Sequence, residues 1–292
     1  MTKTSWGERL FDGINVLVML ILIVITLYPM LYILFSSLSE GNRLISHTGL
    51  LLWPQGFSLE GYKAVLSNPT IMNGFKNTLF VLIVGLAINM TLTSLGAYFL
   101  SREGVLLQKP IMFFIVFTMF FQGGLVPFFL IVKSYGLLNS LWALILPTAM
   151  STFNLIIMRT YFMAIPKEIE ESAFLDGAGH FTILFRIFLP LSMPVVAVLI
   201  LYYGVGHWNS WFNAMIFLRD QDLFPIQLVV RNIILENDSA NMIGTTTLVQ
   251  SRDVAETLKY AAIIVTTAPI LMLYPFLQKY FVKGVMVGAL KG

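Results

Sequence analysis

What most constrains this chain is where its charges are missing. Six stretches carry no Lys, Arg, Asp or Glu: Gly13–Ser39, Asn77–Ser101, Pro110–Val132, Ser134–Met158, Ile187–Leu218 and Tyr260–Gln278. A helix needs roughly 20 predominantly apolar residues to cross a bilayer core. A charge at its centre costs about 2.5–3.5 kcal/mol on insertion scales. Each stretch meets both conditions, and Ile187–Leu218 is long enough to run past the lipid at one end. Charged residues make up 11% of the 292 residues and apolar ones 57%, against about 25% and roughly 45–50% in soluble domains. That composition leaves too little polar surface to clothe a soluble globule. It disfavours a large soluble enzyme, a disordered chain and a nucleic-acid binder together. The fold class expected is an all-α polytopic membrane protein with six transmembrane helices.

The flanks of these stretches set the expected orientation. Lys3 and Arg9 precede the first stretch, whose apolar run is far longer than a signal-peptide core and has no Ala-x-Ala site after it. It reads as a retained span. With the N-terminus in the cytoplasm, ten Lys and Arg fall inside and eight outside, and the outer loops are longer. This follows the positive-inside rule and gives an N-in, C-in arrangement. Lys133 and a short turn to Ser140 separate the third and fourth spans as a tight helical hairpin. Outer loops are expected at about Glu40–Gly74 and Arg219–Thr257, and the largest inner segment is Ala164–Arg186. No internal repeat or linker is visible, so residues 1–292 read as one membrane domain, with its first span at 13–39, its core at about 74–282 and its tail at 283–292.

Composition also limits the chemistry. Cys is absent, which removes disulfides and thiolate chemistry. His47, His180 and His207 lie far apart in sequence, and no metal site is expected from them. The +3 net charge has no basic block, so it speaks to orientation rather than polyanion binding.

The inner segment is the most informative piece. It runs Pro166-Lys167-Glu168-Ile169-Glu170-Glu171-Ser172-Ala173-Phe174-Leu175-Asp176-Gly177-Ala178-Gly179-His180. Proline suits a first helical position, and acids in the first turns suit a helix N-terminus. Ile169 and Ala173 share a face. Gly177 and Gly179 then stop or bend the helix. Physics alone therefore gives a short acidic-fronted helix, a glycine corner and a segment running into Pro190. Any amphipathic connector between two spans could have that form.

The fixed spacing says more. Glu171-Ser172-Ala173, three residues, Gly177, nine residues, then Ile187-Phe188-Leu189-Pro190 resembles the EAA motif of ABC importer permeases, with Ser172 the one departure. Asp176 and Ala178 match the Asp-Gly-Ala frequent in the sugar-importer branch. The tail from Tyr280 to Gly292 looks like the ending of maltose-type six-span permeases, and Asn209–Ala214 resembles the Trp-Asn region of their fifth span. Phe121–Pro127 and Asp222–Leu228 look like the subgroup serving complex oligosaccharides, including alginate and rhamnogalacturonan importers.

The resemblance carries expectations. The EAA segment would be a cytoplasmic coupling helix: Glu171 a polar anchor for an ATPase arginine, Ser172 and Ala173 a close-packed surface, Gly177 the turn, with Asp176 also among the ATPase-coupling residues. Gly288, Ala289, Lys291 and Gly292 would reach between the ATPases. The chain has no Gly-x-x-x-x-Gly-Lys-Ser/Thr loop. It would thus be no enzyme and bind no cofactor itself, ATP and Mg being held by partner ATPases. The implied assembly is two ATPase subunits, a second permease that is related rather than identical, and an extracytoplasmic solute-binding protein, set among the lipids of the bacterial cytoplasmic (inner) membrane. The implied function is import of an oligosaccharide. Alternatives are an ABC permease for a non-sugar solute and a self-contained secondary carrier. The absence of mid-span acids gives a proton or sodium relay little support.

Polar groups within spans are the candidates for a translocation pathway: Gln122, Asn154, Asn209, Ser210 and Asn213, with Trp208 and Trp211 as stacking surfaces. Amides and aromatic faces suit sugars, which present hydroxyls and apolar ring faces. The competing readings are helix-to-helix ties for Asn and interface markers for Trp. Tyr202 and Tyr203 read as packing, His207 as an interface histidine and Arg159 as a snorkelling anchor.

Overall fold

Some of the apolar stretches run as single helices and others break, although proline and glycine occur in both kinds. The computed structural model describes residues 6–243 and 255–272, with side chains omitted over 236–243. The elements are α1 (Trp6–Ser37), α2 (Gly41–Ser46), α3 (Glu60–Ser67), α4 (Pro69–Ser101), α5 (Gln108–Phe120), α6 (Leu125–Ser134), α7 (Trp142–Ile145), α8 (Thr152–Met163), α9 (Lys167–Leu175), α10 (His180–Ile183), α11 (Leu189–Leu191), α12 (Met193–Trp208), α13 (Trp211–Phe217) and α14 (Ile226–Ile243). A further helix, α15, spans Ala255–Met272. There is no strand among the described residues. The described part of the tail stops short of residues 283–292, so Gly288, Ala289, Lys291 and Gly292 lie outside the described residues, as does the end of the sixth apolar stretch.

Among the described residues three helices, α1, α4 and α15, are each long and apolar enough to cross a membrane, and three bent pairs bring the number to as many as six. The bends fall inside stretches whose sequence reads as straight. The third stretch breaks at Phe121–Gly124 and turns by 118° between α5 and α6. Gly124 supplies the turn at φ 81°, a left-handed backbone that a side chain would strain. The fourth bends by 48° before α8, where Ser151 sits in extended backbone and its hydroxyl caps α8 by accepting from the Asn154 N–H. The fifth bends by 87° between α11 and α12. There Pro190 and Pro194 flank Ser192 and remove two backbone donors.

The outer segments are not loops throughout. Arg219–Thr257 contains α14, which the sequence reading missed because polar residues dilute its apolar face. Glu40–Gly74 contains α2, α3 and the first turns of α4.

The described residues divide into two compact units, 6–68 with 232–243 and 255–268, and 69–231 with 269–272. In the first, α3 lies close on α15: a Cβ at Gly61 would fall 3.0 Å from the Thr257 carbonyl. Ser37 and Tyr62 share a hydroxyl hydrogen bond of 2.8 Å, and Tyr32 meets Tyr260 edge-on at 6.0 Å. In the second, α4 packs along α8 and α12. One apolar cluster gathers Tyr98, Phe162, Ala173, Ile183 and Phe188. Another gathers Val81, Val132, Ile145, Phe217 and Leu228. Polar ties close the end of the second unit that holds this latter cluster. Asn77 Nδ2 donates to the carbonyls of Asp222 and Phe224. Thr78 Oγ1 accepts from the Ile226 N–H, and Asn139 Oδ1 accepts from the N–H groups of Arg219 and Asp220.

Candidate functional site

Two sites stand at different levels of the second unit. The first is built around α9. This helix ends in two crossed hydrogen bonds, Gly177 N–H to the Phe174 carbonyl and Ala178 N–H to that of Ala173, with Gly177 at φ 80°. That is a Schellman end, which needs a left-handed residue at this position. Glu171, Ser172, Asp176 and Gly177 are exposed. Ala173 is not: it is 6% exposed and belongs to the chain's own core. Of the pair read as an approach surface, only Ser172 is open to a partner. Ala173 serves instead to let α9 lie close on its own unit.

Glu170, the residue before the motif, holds α9 to the end of α4. Its carboxylate pairs with the Arg102 guanidinium, both side chains nearly buried, and accepts from the Tyr98 hydroxyl at 3.2 Å. Tyr98 also meets His180 Nδ1 at 3.1 Å. Arg102 lies 4.5 Å over the Phe188 ring, so α4, α9 and the helix start at His180 share one cluster. Arg159 is more than a snorkelling anchor, since its Nε donates to the Leu100 carbonyl at 2.8 Å and caps α4. Outside the cluster, Lys167 donates to Glu103 at 2.6 Å. That hydrogen bond and the lysine charge hold the Glu103 carboxyl below its ordinary range. The pair is therefore complete at neutral pH, and on the acid side it is lost as the Glu103 carboxylate is protonated. Both ends are exposed, so it adds little. A cavity of about 820 Å³ opens beside this cluster, walled by Tyr98, Arg102, Arg159, Glu170, Glu171 and His180 among others.

The second site is a cavity of about 760 Å³ between α8, α12 and α13, and Asn154, Asn209 and Asn213 are in its wall with Ser151, Tyr202, Tyr203, His207, Ser210 and Phe212. Asn154 is anchored by its N–H on Ser151, and Asn209 Nδ2 donates to the Val205 carbonyl at 3.0 Å. The remaining pathway candidates stand apart from it. Gln122 is exposed in the break between α5 and α6. Trp208 is 6% exposed, its ring 6.4 Å from that of Phe75. Trp211 lies under the Arg231 guanidinium at 5.1 Å.

Several site residues escaped the sequence reading. Tyr203 does more than pack: its hydroxyl accepts from the Ser151 N–H and bonds Thr93 Oγ1 at 2.7 Å. His207 is no interface histidine, being 5% exposed and held by Asn89 at 2.6 Å. Arg102 and Glu170 are 68 residues apart in sequence, a pairing that no local spacing announces.

A helical membrane protein whose spans are broken by glycine and proline, with a short exposed helix fastened beneath them, is the class these features define. Comparison gives the family. Residues 1–287 match the binding-protein-dependent transport system inner membrane component, and the chain belongs to that family. It is 41% identical over 287 residues to the polygalacturonan/rhamnogalacturonan transport system permease protein YtcP of Bacillus subtilis (strain 168), covering 98% of this chain and 99% of that one. It is 38% identical over 292 residues to Protein LplC of the same organism, covering 100% and 98%. Among solved structures, a chain from a bacterial ABC transporter involved in the import of the acidic polysaccharide alginate superposes with a TM-score of 0.87 at 30% identity, covering 96% of this chain and 100% of that one. The protein is thus an ABC-transporter permease of the inner membrane.

Proposed function

We propose that this chain forms half the translocation pore of an ATP-driven, binding-protein-dependent importer of oligosaccharides. A second, related permease would form the other half. Two cytoplasmic ATPase subunits holding ATP and Mg would drive it, and an extracytoplasmic binding protein would deliver the sugar. The relatives named for polygalacturonan, rhamnogalacturonan and alginate support this substrate class.

The observation that carries the reading is α9. It is short, exposed on the face bearing Glu171, Ser172 and Asp176, and tied from behind by Glu170 to Arg102 and Tyr98. A helix held this way moves as one body with the end of α4. Closure of an ATPase dimer against Glu171 would then push the spans, and its opening would pull them back. The asparagine-lined cavity beside Tyr202 and Phe212 offers amides and aromatic faces to a sugar on its way through. The tail residues Gly288, Ala289, Lys291 and Gly292 are proposed as further ATPase contacts.

The test is purification of the tagged chain in mild detergent, followed by uptake assays on variants. An ATPase and a second permease should come with it. Glu171→Lys and Gly177→Pro should abolish uptake while membrane insertion is retained. Normal uptake by both variants would remove the coupling role from α9.

A further inference from the structure

The asparagine-lined cavity contains a histidine whose orientation is dictated by its neighbours. His207 Nε2 lies 2.6 Å from Asn89 Oδ1. The Asn89 amide cannot be turned around, because its Nδ2 donates to the Thr148 carbonyl at 2.7 Å. An amide oxygen only accepts, so Nε2 must carry the proton. In the neutral ring that leaves the lone pair on Nδ1. The ring is also seated on bare backbone: a Cβ added at Gly85 would fall 2.5 Å from Nε2. Two positions of α4 thus fix which ring edge α12 turns away from the helix pair. With Nε2 taken, Nδ1 is the ring nitrogen left for a ligand, and His207 is part of the cavity wall.

The groups around it are those a polyhydroxy ligand needs. Ser210 Oγ, in the same wall, is buried and has no partner among the described residues. Asn209 spends its Nδ2 on the Val205 carbonyl, which leaves its Oδ1 to accept. The Tyr203 hydroxyl is already engaged by Thr93 and Ser151. Phe153 and Tyr202 line the same cavity, with ring centroids 6.3 Å apart, and give apolar surface for a pyranose face.

We infer that His207 is a carbohydrate-binding residue of this subunit, its Nδ1 accepting a hydrogen bond from a sugar hydroxyl, and that Asn89 is its positioning residue. The inference rests on the importer reading above and assigns a contact to it. A histidine that only tied α12 to α4 would need Nε2 and nothing else, and the two roles separate cleanly by substitution. His207→Gln places an amide where Nε2 was, so it keeps the bond to Asn89 and loses the cavity acceptor. His207→Asn places an amide where Nδ1 was, so it keeps the acceptor and loses the tie.

The experiment uses the full complex in proteoliposomes with its cognate binding protein, tritiated trigalacturonate and maltotriose as probes, and sugar moved per ATP hydrolysed as the readout. His207→Gln should lower that ratio about three- to ten-fold, the range expected for one lost hydrogen bond. His207→Asn should retain the larger share. Any result in which His207→Gln moves as much sugar per ATP as His207→Asn overturns the inference. A wild-type complex that hydrolyses ATP but moves neither probe counts against the importer reading itself, and the inference falls with it.

Discussion

At the scale of single residues, the most consequential group outside the motif is Glu170. Its carboxylate and the Arg102 guanidinium are each largely withdrawn from water, so removing either leaves the other charge without its partner. Breaking a buried pair costs about 3–5 kcal/mol, whereas replacing both partners by apolar groups is often neutral. Arg102→Met alone should therefore lower the thermal midpoint of the purified complex clearly. Arg102→Met together with Glu170→Leu should recover most of the loss. A double variant no better than the single would mean that the hydrogen bond from Tyr98, rather than the ion pair, holds α9. The exposed helix bearing Glu171 was legible because its capping and spacing signals are local. The tie made by its neighbour Glu170 was not, since it depends on an arginine that only the folded chain brings near. His207 was hidden for the same reason: nothing around it in sequence announces Asn89.

At the scale of elements, α9 and its glycine corner could be read from the sequence because capping chemistry acts within a few residues. Gly177 at φ 80° gives a direct check. Gly177→Ala should destabilise the helix end by roughly 1–2 kcal/mol, the penalty for a side chain in left-handed backbone. Gly177→Asn should be better tolerated. Hydrogen exchange of the Gly177 and Ala178 amides, which make the crossed bonds, would report both. The bends in the third, fourth and fifth apolar stretches were not legible. Uniformly apolar sequence has no periodicity to interrupt, and hydropathy is blind to the direction a helix takes after a glycine pair or a proline. The 118° turn at Gly124 and the 87° turn beside Ser192 arise from backbone conformation and missing donors. The count of apolar stretches survived because it depends only on the cost of placing charge in lipid.

At the scale of the whole molecule, the chain's lack of cysteine makes orientation measurable. In vesicles holding the permeases without their ATPases, Glu171→Cys should react with a membrane-impermeant maleimide only when the vesicles are inside-out. Trp53→Cys, at a residue 65% exposed, should react only in right-side-out ones. The reverse pattern would invert the arrangement drawn from the Lys and Arg flanks. The family match runs across residues 1–287, nearly the whole chain.

One further property follows from α1. Its most apolar window has a mean hydropathy of 2.7, and none of that window is buried within the molecule. Only the last turns of α1 meet the rest of its unit, through Tyr32 against Tyr260 and Ser37 against Tyr62, so the apolar window can settle in lipid as soon as it leaves the ribosome and the insertion machinery. Its partitioning is decided by composition alone, before α4 or α15 has been made. The order of biogenesis is thereby written into the fold. The first helix tethers the nascent chain, and the bent pairs, whose broken backbones need neighbours to satisfy them, fold afterwards against helices already in place.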